Sequence, residues 1–207
     1  MLENKVYIFD NLLSPITQDY IENIVYNKLS YYPSNNNPDP NDPHQKQYFN
    51  LSDKLYDPPQ MVHSLIDTYY NIDSPWNTLP FSMSIPLQSY FNFKFSYTLL
   101  RSKVNIKHLQ HSHLQKSFGS PHVDFEPPLP NLWVLLYYVN DSDGDTIIFN
   151  ETYDSLPYHQ NFSIQESITP KKGRSIFFPA NIYHSANFPT VNVNRIVINN
   201  VMQINPL

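Results

Sequence analysis

The sequence predicts a mainly β fold with helices at its N-terminal end. Three observations lead there. Aromatic side chains are abundant, with 16 Tyr and 13 Phe among 207 residues, and such residues suit the pleated, half-buried surface of a sheet. The apolar runs after residue 95 are short and separated by turn residues, as in a sandwich or barrel. The helical patterns all precede residue 95, which suits helices packed on one face of a β-core.

The elements follow in order. Lys5–Asp10 reads as a short strand. Ser14-Pro15 supplies an N-cap followed by proline at the first helical position. Ile16, Tyr20, Ile21, Ile24, Val25 and Tyr26 continue at near-helical spacing, so a helix is expected over 15–29. Residues 32–47 are Pro/Asn-rich and read as a loop. A second helix is expected over 58–71, with Met61, Leu65, Ile66 and Tyr69 on one side. Residues 96–109 alternate in part and read as a strand. The run 132–140 (LWVLLYYVN) is strongly apolar, and 141–145 (DSDGD) is a turn. Strands over 146–151, 163–169, 175–178 and 195–204 complete the series. The sequence shows no internal repeat and no second domain, so one domain is expected over 1–207, with 1–95 as a helical support region.

Composition narrows the function. The net charge of −5 argues against a binder that neutralises nucleic-acid phosphates. There is no cysteine, which excludes disulfides, thiolate metal sites and cysteine nucleophiles. Any metal must be held by His, Asp or Glu. The N-terminus does not read as a signal peptide, and no segment approaches the roughly 20 apolar residues of a membrane span. A cytoplasmic protein without membrane partners is the expectation.

Pro121-His122-Val123-Asp124 is the most informative stretch. In a strand, residues two apart point to the same face, so His122 and Asp124 aim at one point. His184, in a short connection after the 175–178 strand, is a third candidate. Two imidazoles and one carboxylate leave other coordination positions open, the facial triad of non-haem Fe(II) oxygenases. On the order of one His-x-acid pair arises by chance in such a chain, and a solvated surface strand explains the pair equally well. Its company shifts the balance. Arg195 opens the last apolar strand, and a planar guanidinium suits bidentate binding of a carboxylate. Taken alone, it reads better as a rim arginine. Tyr138 can place a hydroxyl beside the same carboxylate, and Thr146 follows the turn. Tyr137 reads as core. His108, His111 and His113 suggest a rival zinc site, with His111 and His113 joining His122, but it leaves Arg195 and the Thr146 strand unexplained. His44, His63 and His159 read as surface or satisfied core residues.

The order of these pieces resembles the Fe(II)- and 2-oxoglutarate-dependent dioxygenases of the prolyl-4-hydroxylase-like branch. The matching residues are His122-Val-Asp124, Tyr138-Val-Asn140, Asp143-Gly-Asp-Thr146, Pro170-x-x-Gly173-Arg-Ser-Ile-Phe-Phe178, His184 and Arg195. The N-terminal segment 6–15 is also similar to the family's usual opening. The resemblance implies a double-stranded β-helix (a cupin-like jelly roll), with 96–207 as the catalytic β-core. It implies His122, Asp124 and His184 as iron ligands, Arg195 as partner of the distal carboxylate of 2-oxoglutarate, and Tyr138 as a hydrogen-bond donor to it. Thr146 joins the cofactor-binding set. In such enzymes O2 binds, 2-oxoglutarate loses CO2 to become succinate, and the substrate is hydroxylated. The chain departs from the family in carrying Asp143-Gly144 where Gly-Gly is frequent, and in a longer interval between His184 and Arg195.

The sequence does not name the substrate. The resemblance implies a prolyl residue of a peptide or protein, or a small molecule. Segments 32–47 and 108–120, and Phe125-Glu-Pro-Pro128, are candidate substrate-covering elements. Two alternatives stand beside the oxygenase: a non-oxidative metal-binding jelly-roll protein, and a non-catalytic binding module.

Overall fold

The apolar run at 132–140 is the strand from which the architecture is built. In this computed structural model, described over residues 2–34, 60–68, 71–110, 118–124, 130–153 and 162–207, it forms β6 (Leu132–Tyr138). All seven of its residues are buried, because both faces are covered. Trp133, Leu135 and Tyr137 face one apolar cluster, and Leu132, Val134, Leu136 and Tyr138 face another.

The chain order is β1 (Tyr7–Phe9), α1 (Pro15–Asn27), β2 (Tyr32–Ser34), β3 (Gln60–Asp67), β4 (Ile72–Asp73), α2 (Phe81–Tyr90), β5 (Phe95–His108), β6, β7 (Thr146–Thr152), β8 (Ile164–Ile168), β9 (Ser175–Pro179), β10 (Ile182–Ala186) and β11 (Asn194–Pro206). The larger sheet runs β1-β9-β6-β11-β5-β3-β2, with β4 paired to β3. The smaller sheet runs β10-β7-β8. Every pairing is antiparallel. The two sheets enclose the second cluster, with Ile148, Ile168, Ile176, Phe178, Val197 and Val201 meeting β6. This is a jelly roll. No helix among the described residues is long and apolar enough to cross a membrane.

The helices cover the outer face of the larger sheet. Ser14 Oγ accepts from Thr17 N at 3.3 Å and caps α1, with Pro15 in its first turn. Ile21, Ile24 and Val25 bury against the first cluster, each contributing about 2 kcal/mol of transfer free energy. Met83 and Leu87 of α2 join them.

Three expectations are corrected. The helix expected over 58–71 is strand β3 from Gln60 to Asp67. A register shift between Ser64 and Ile66 buries both Val62 and Leu65. That bulge spaces the apolar residues three apart, which imitates helical periodicity. Helix α2 was not anticipated. It carries Pro86 inside and exposes Phe81 and Ile85, so its pattern reads as irregular. His184 lies within strand β10, not in a connection. The first 95 residues thus supply β1 to β4 as well as both helices. Beyond Ser34, the 32–47 loop lies outside the described residues, as do 111–117 and 125–129.

Candidate metal centre and anion pocket

His122 and His184 sit side by side because their backbones pair. An isolated antiparallel bridge joins them, with His122 N donating to His184 O at 2.9 Å and His184 N to His122 O at 3.0 Å. Their rings lie 4.6 Å apart. Asp124, two residues on, turns toward the same point, and the three ligand atoms lie within 4.8 Å of one another. His184 Nε2 is 3.3 Å from Asp124 Oδ2.

The imidazoles are pre-oriented. His122 Nδ1 lies 3.0 Å from Ser120 O, and His184 Nδ1 lies 3.2 Å from Ile182 O. A carbonyl on Nδ1 fixes the tautomer and leaves Nε2 as the free donor atom. Phe178 packs edge-on against the His184 ring at 5.1 Å. His122 keeps part of its surface open to solvent. Burial of the remainder, with His184 beside it, lowers its pKa to about 4. It is therefore neutral near pH 7, the form that binds a metal.

Asp124 is held from both oxygens. Arg101 NH2 donates to Oδ1 at 2.9 Å, and Asn199 Nδ2 donates to Oδ2 at 2.9 Å. Burial opposes its ionisation. The hydrogen bond and charge of His184, with Arg101 and His122, outweigh burial and hold its carboxyl well below the usual range.

Arg195 lies further along β11 on the same face. Its Nε donates to Gly144 O at 2.7 Å and its NH2 to Thr146 Oγ1 at 2.6 Å. Tyr138 OH donates to the same Thr146 Oγ1 at 2.7 Å. Thr146 thus accepts twice and keeps its own O–H to donate. The guanidinium stands 5.7 Å over the Tyr138 ring. A Cβ on Gly144 would come within 2.8 Å of Asn187 O and 3.1 Å of Arg195 Cδ, so only glycine fits there. Arg195 is 2% exposed, and among the described residues it makes no ion pair with an acid. Burial lowers its pKa from the ordinary value without removing its charge.

The longer loop before Arg195 is anchored. Asp143 accepts from Thr190 N at 2.8 Å, Thr190 Oγ1 at 2.5 Å, Val191 N at 3.0 Å and Asn192 N at 3.0 Å. Asn140 accepts from Ile196 N and donates to Asn194 O.

The structure therefore brings His122, Asp124 and His184 together, and separately Arg195, Tyr138 and Thr146. His111 and His113 of the rival cluster lie outside the described residues, as do His44 and His159. His108 turns to Asn194 Oδ1 at 2.7 Å. His63 is satisfied by Ser30 O and Ser74 Oγ. Sequence reasoning missed Arg101 and Asn199. The signal was the alternation of Arg101, Lys103, Asn105 and Lys107 with Leu100, Ser102, Val104 and Ile106 along one strand.

No family model matches the sequence, and no curated protein matches it. Solved structures do. An oxidoreductase of the 2OG-Fe(II) oxygenase family from Burkholderia pseudomallei superposes with TM-score 0.63 at 11% identity, over 96% of this chain and 85% of its own. The chain has the fold of the 2-oxoglutarate-dependent Fe(II) oxygenases. The non-heme α-ketoglutarate-dependent epimerase SnoN from nogalamycin biosynthesis gives TM-score 0.60 at 12% identity, over 97% and 78%. A prolyl hydroxylase from Trichoplax adhaerens, in complex with a hypoxia-inducible-factor peptide fragment, gives 0.55 at 14%, over 97% and 84%. At these identities the likeness is one of fold, and function has to be argued from the site.

Proposed function

We propose that this chain is an Fe(II)- and 2-oxoglutarate-dependent dioxygenase. One observation carries the reading: a two-His, one-carboxylate cluster, held by Asn199 of β11, stands near a buried arginine four residues away on the same strand that lacks an acidic partner among the described residues. The first asks for a cation and the second for an anion.

The donor set fits iron. Two imidazoles and one carboxylate are the ligand set that suits non-haem Fe(II). His184 Nε2 and Asp124 Oδ2 are 3.3 Å apart, and all three ligand atoms lie within 4.8 Å of one another, so His122, Asp124 and His184 would hold one ion between them. When bound, Fe(II) with 2-oxoglutarate supplies O2 activation coupled to decarboxylation to succinate.

The chain's own residues prepare this chemistry. His122 and His184 present Nε2, because Ser120 O and Ile182 O hold the other nitrogens. Asp124 keeps its negative charge, because Arg101 and Asn199 hold it. Arg195 and the unspent O–H of Thr146 would grip a distal carboxylate, with Tyr138 fixing Thr146. The apolar second cluster around Ile148, Ile176 and Val197 keeps water from the inner wall.

For the substrate, prolyl hydroxylation of a peptide is the finer reading. It is supported by the peptide complex of the Trichoplax prolyl hydroxylase and by a viral collagen prolyl hydroxylase of Paramecium bursaria Chlorella virus-1, which superposes with TM-score 0.50 at 15% identity.

The test adds Fe(II) and then 2-oxoglutarate to metal-free protein without oxygen. A weak visible charge-transfer band is expected only with both present, and it is absent in Asp124→Ala. Iron binding without the band removes 2-oxoglutarate from the reading. No iron binding leaves a barrel used for binding. Succinate release with proline-containing peptides then tests the substrate.

A further inference from the structure

Strand β5 carries a second set of charges that the oxygenase reading does not use. Arg101, Lys103, Asn105 and Lys107 occupy alternate positions on the face turned to the smaller sheet. Their registers on β11 are Val201, Asn199, Val197 and Arg195. Lys107, level with Arg195, is engaged: its Nζ donates to Ala186 O at 2.9 Å and lies 4.3 Å from the Phe188 ring centre. Lys103 is different. It stands level with Asn199, four residues along β11 from Arg195, or about 13 Å at roughly 3.3 Å per residue. It is partly buried, and among the described residues it makes no hydrogen bond and no ion pair.

Its surroundings are also unsatisfied. Arg101 spends NH2 on Asp124, while its Nε is buried without a partner among the described residues. Asn199 spends Nδ2 on Asp124, while its Oδ1 is buried without a partner among the described residues. Buried polar atoms are rarely left so. The acids in electrostatic reach of Lys103 are Asp124 and Asp67. Asp124 is already shared with Arg101 and is claimed by the metal triad. Lys103, Arg101 and Asn199 therefore lie together beside Asp124: Lys103 is level with Asn199 across the two strands, and Arg101 and Asn199 grip the same carboxylate, while Asp67, on β3 level with Arg101, is half-exposed. An anion satisfies the donors, and an adjacent N–H or O–H satisfies Asn199.

We propose that Arg101 and Lys103 form a second anion site beside the metal triad, which holds a carboxylate of the primary substrate flanked by an N–H or O–H. A peptide's C-terminal carboxylate and a free amino or hydroxy acid both have this chemistry. The proposal rests on the oxygenase reading for what the site serves. The keto-acid end of 2-oxoglutarate offers the same carboxylate, and the test separates the two.

N-acetylglycine, a carboxylate next to an N–H, is titrated by calorimetry into protein saturated with Mn(II) and 2-oxoglutarate, with neutral N-acetylglycinamide as control. Saturation fills the Arg195 end, so the remaining anion binding reports β5. N-acetylglycine is expected to bind and the amide not to. Lys103→Met weakens N-acetylglycine at least about tenfold, and Lys103→Gln, which keeps polarity without charge, does the same. Lys103→Arg stays within about threefold. The Kd of 2-oxoglutarate, measured separately, moves less than about threefold in all three. No binding to the unaltered protein, or equal binding to Lys103→Met and Lys103→Gln, overturns the proposal. A tenfold weaker 2-oxoglutarate in Lys103→Met also overturns it, because the carboxylate then belongs to the cosubstrate. Should 2-oxoglutarate fail to bind the unaltered protein, the oxygenase reading falls. The same titrations on the cosubstrate-free protein then still decide the anion site.

Discussion

Asp124 and Arg195 are both charged and both buried, yet their surroundings are opposite. Asp124 has a counter-charge in Arg101 at 2.9 Å, a second donor in Asn199 and an imidazole at 3.3 Å. Among the described residues Arg195 has only neutral acceptors, Gly144 O and Thr146 Oγ1. A buried charge without a partner is costly. A fold that keeps such a charge spends stability there for a ligand. The carboxylate end is complete as protein and gains a metal, whereas the guanidinium end is incomplete until an anion arrives.

That contrast breaks most clearly at Asp124. Asp124→Ala removes the one anionic ligand and leaves Arg101 facing two imidazoles. Metal affinity is expected to fall by more than about 100-fold, since even outer-shell losses cost about 10–100-fold. Titration with Fe(II) or Mn(II) measures it. Unchanged affinity would mean that the triad is not the metal site. Arg195→Met is the mirror experiment. Binding of 2-oxoglutarate is expected to weaken about 100-fold, or about 2.7 kcal/mol, with metal affinity unchanged. Thermal stability should move by less than about 1 kcal/mol, because an apolar side chain replaces an unpaired buried charge. A large loss of stability with 2-oxoglutarate binding intact would make Arg195 structural. Arg101→Met sharpens the comparison from the other side. It frees Asp124 Oδ1 to swing, and metal affinity is expected to fall about 10-fold. An unchanged metal Kd would show that Asn199 suffices to hold the carboxylate.

The sequence showed these two ends unequally. His122-x-Asp124 was legible because period two is a property of any strand, and His184 because its neighbours are apolar. Which backbone would carry His184 was not legible. Its pairing with His122 joins residues far apart in the chain, and local pattern does not encode such a bridge. Strand β3 was misread because its bulge at Leu65 spaces apolar residues as a helix does. Helix α2 was missed because Pro86 reads as a breaker and its apolar residues point both inward and outward. Arg101 and Asn199 were passed over because a lone Arg or Asn in a strand is ordinary. Only the register across β5 and β11 shows that both reach one carboxylate.

The loop before Arg195 gives the smallest effect and the cleanest pH dependence. Asp143 receives four hydrogen bonds from Thr190, Val191 and Asn192, in the stretch that makes this interval long. Burial pushes its carboxyl up, and these four donors outweigh burial and hold it at about 2, below the ordinary 3.8. A carboxyl depressed in the folded state stabilises it fully above the unfolded pKa, and the contribution is lost as pH falls from about 4 through about 2. Asp143→Asn is therefore expected to lower stability by about 1–2 kcal/mol near pH 7, after allowance for partial exposure. Denaturant melts as a function of pH should show the gap between the two proteins closing below about pH 4. Binding of 2-oxoglutarate should weaken only a few-fold, because Gly144 O, Thr146 and Asn140 still hold Arg195 and its strand. A gap that persists unchanged at pH 2 would show that the loop is held by its backbone and not by the Asp143 charge. The extra length before Arg195 would then be passive, and the arginine's placement would depend on β11 alone.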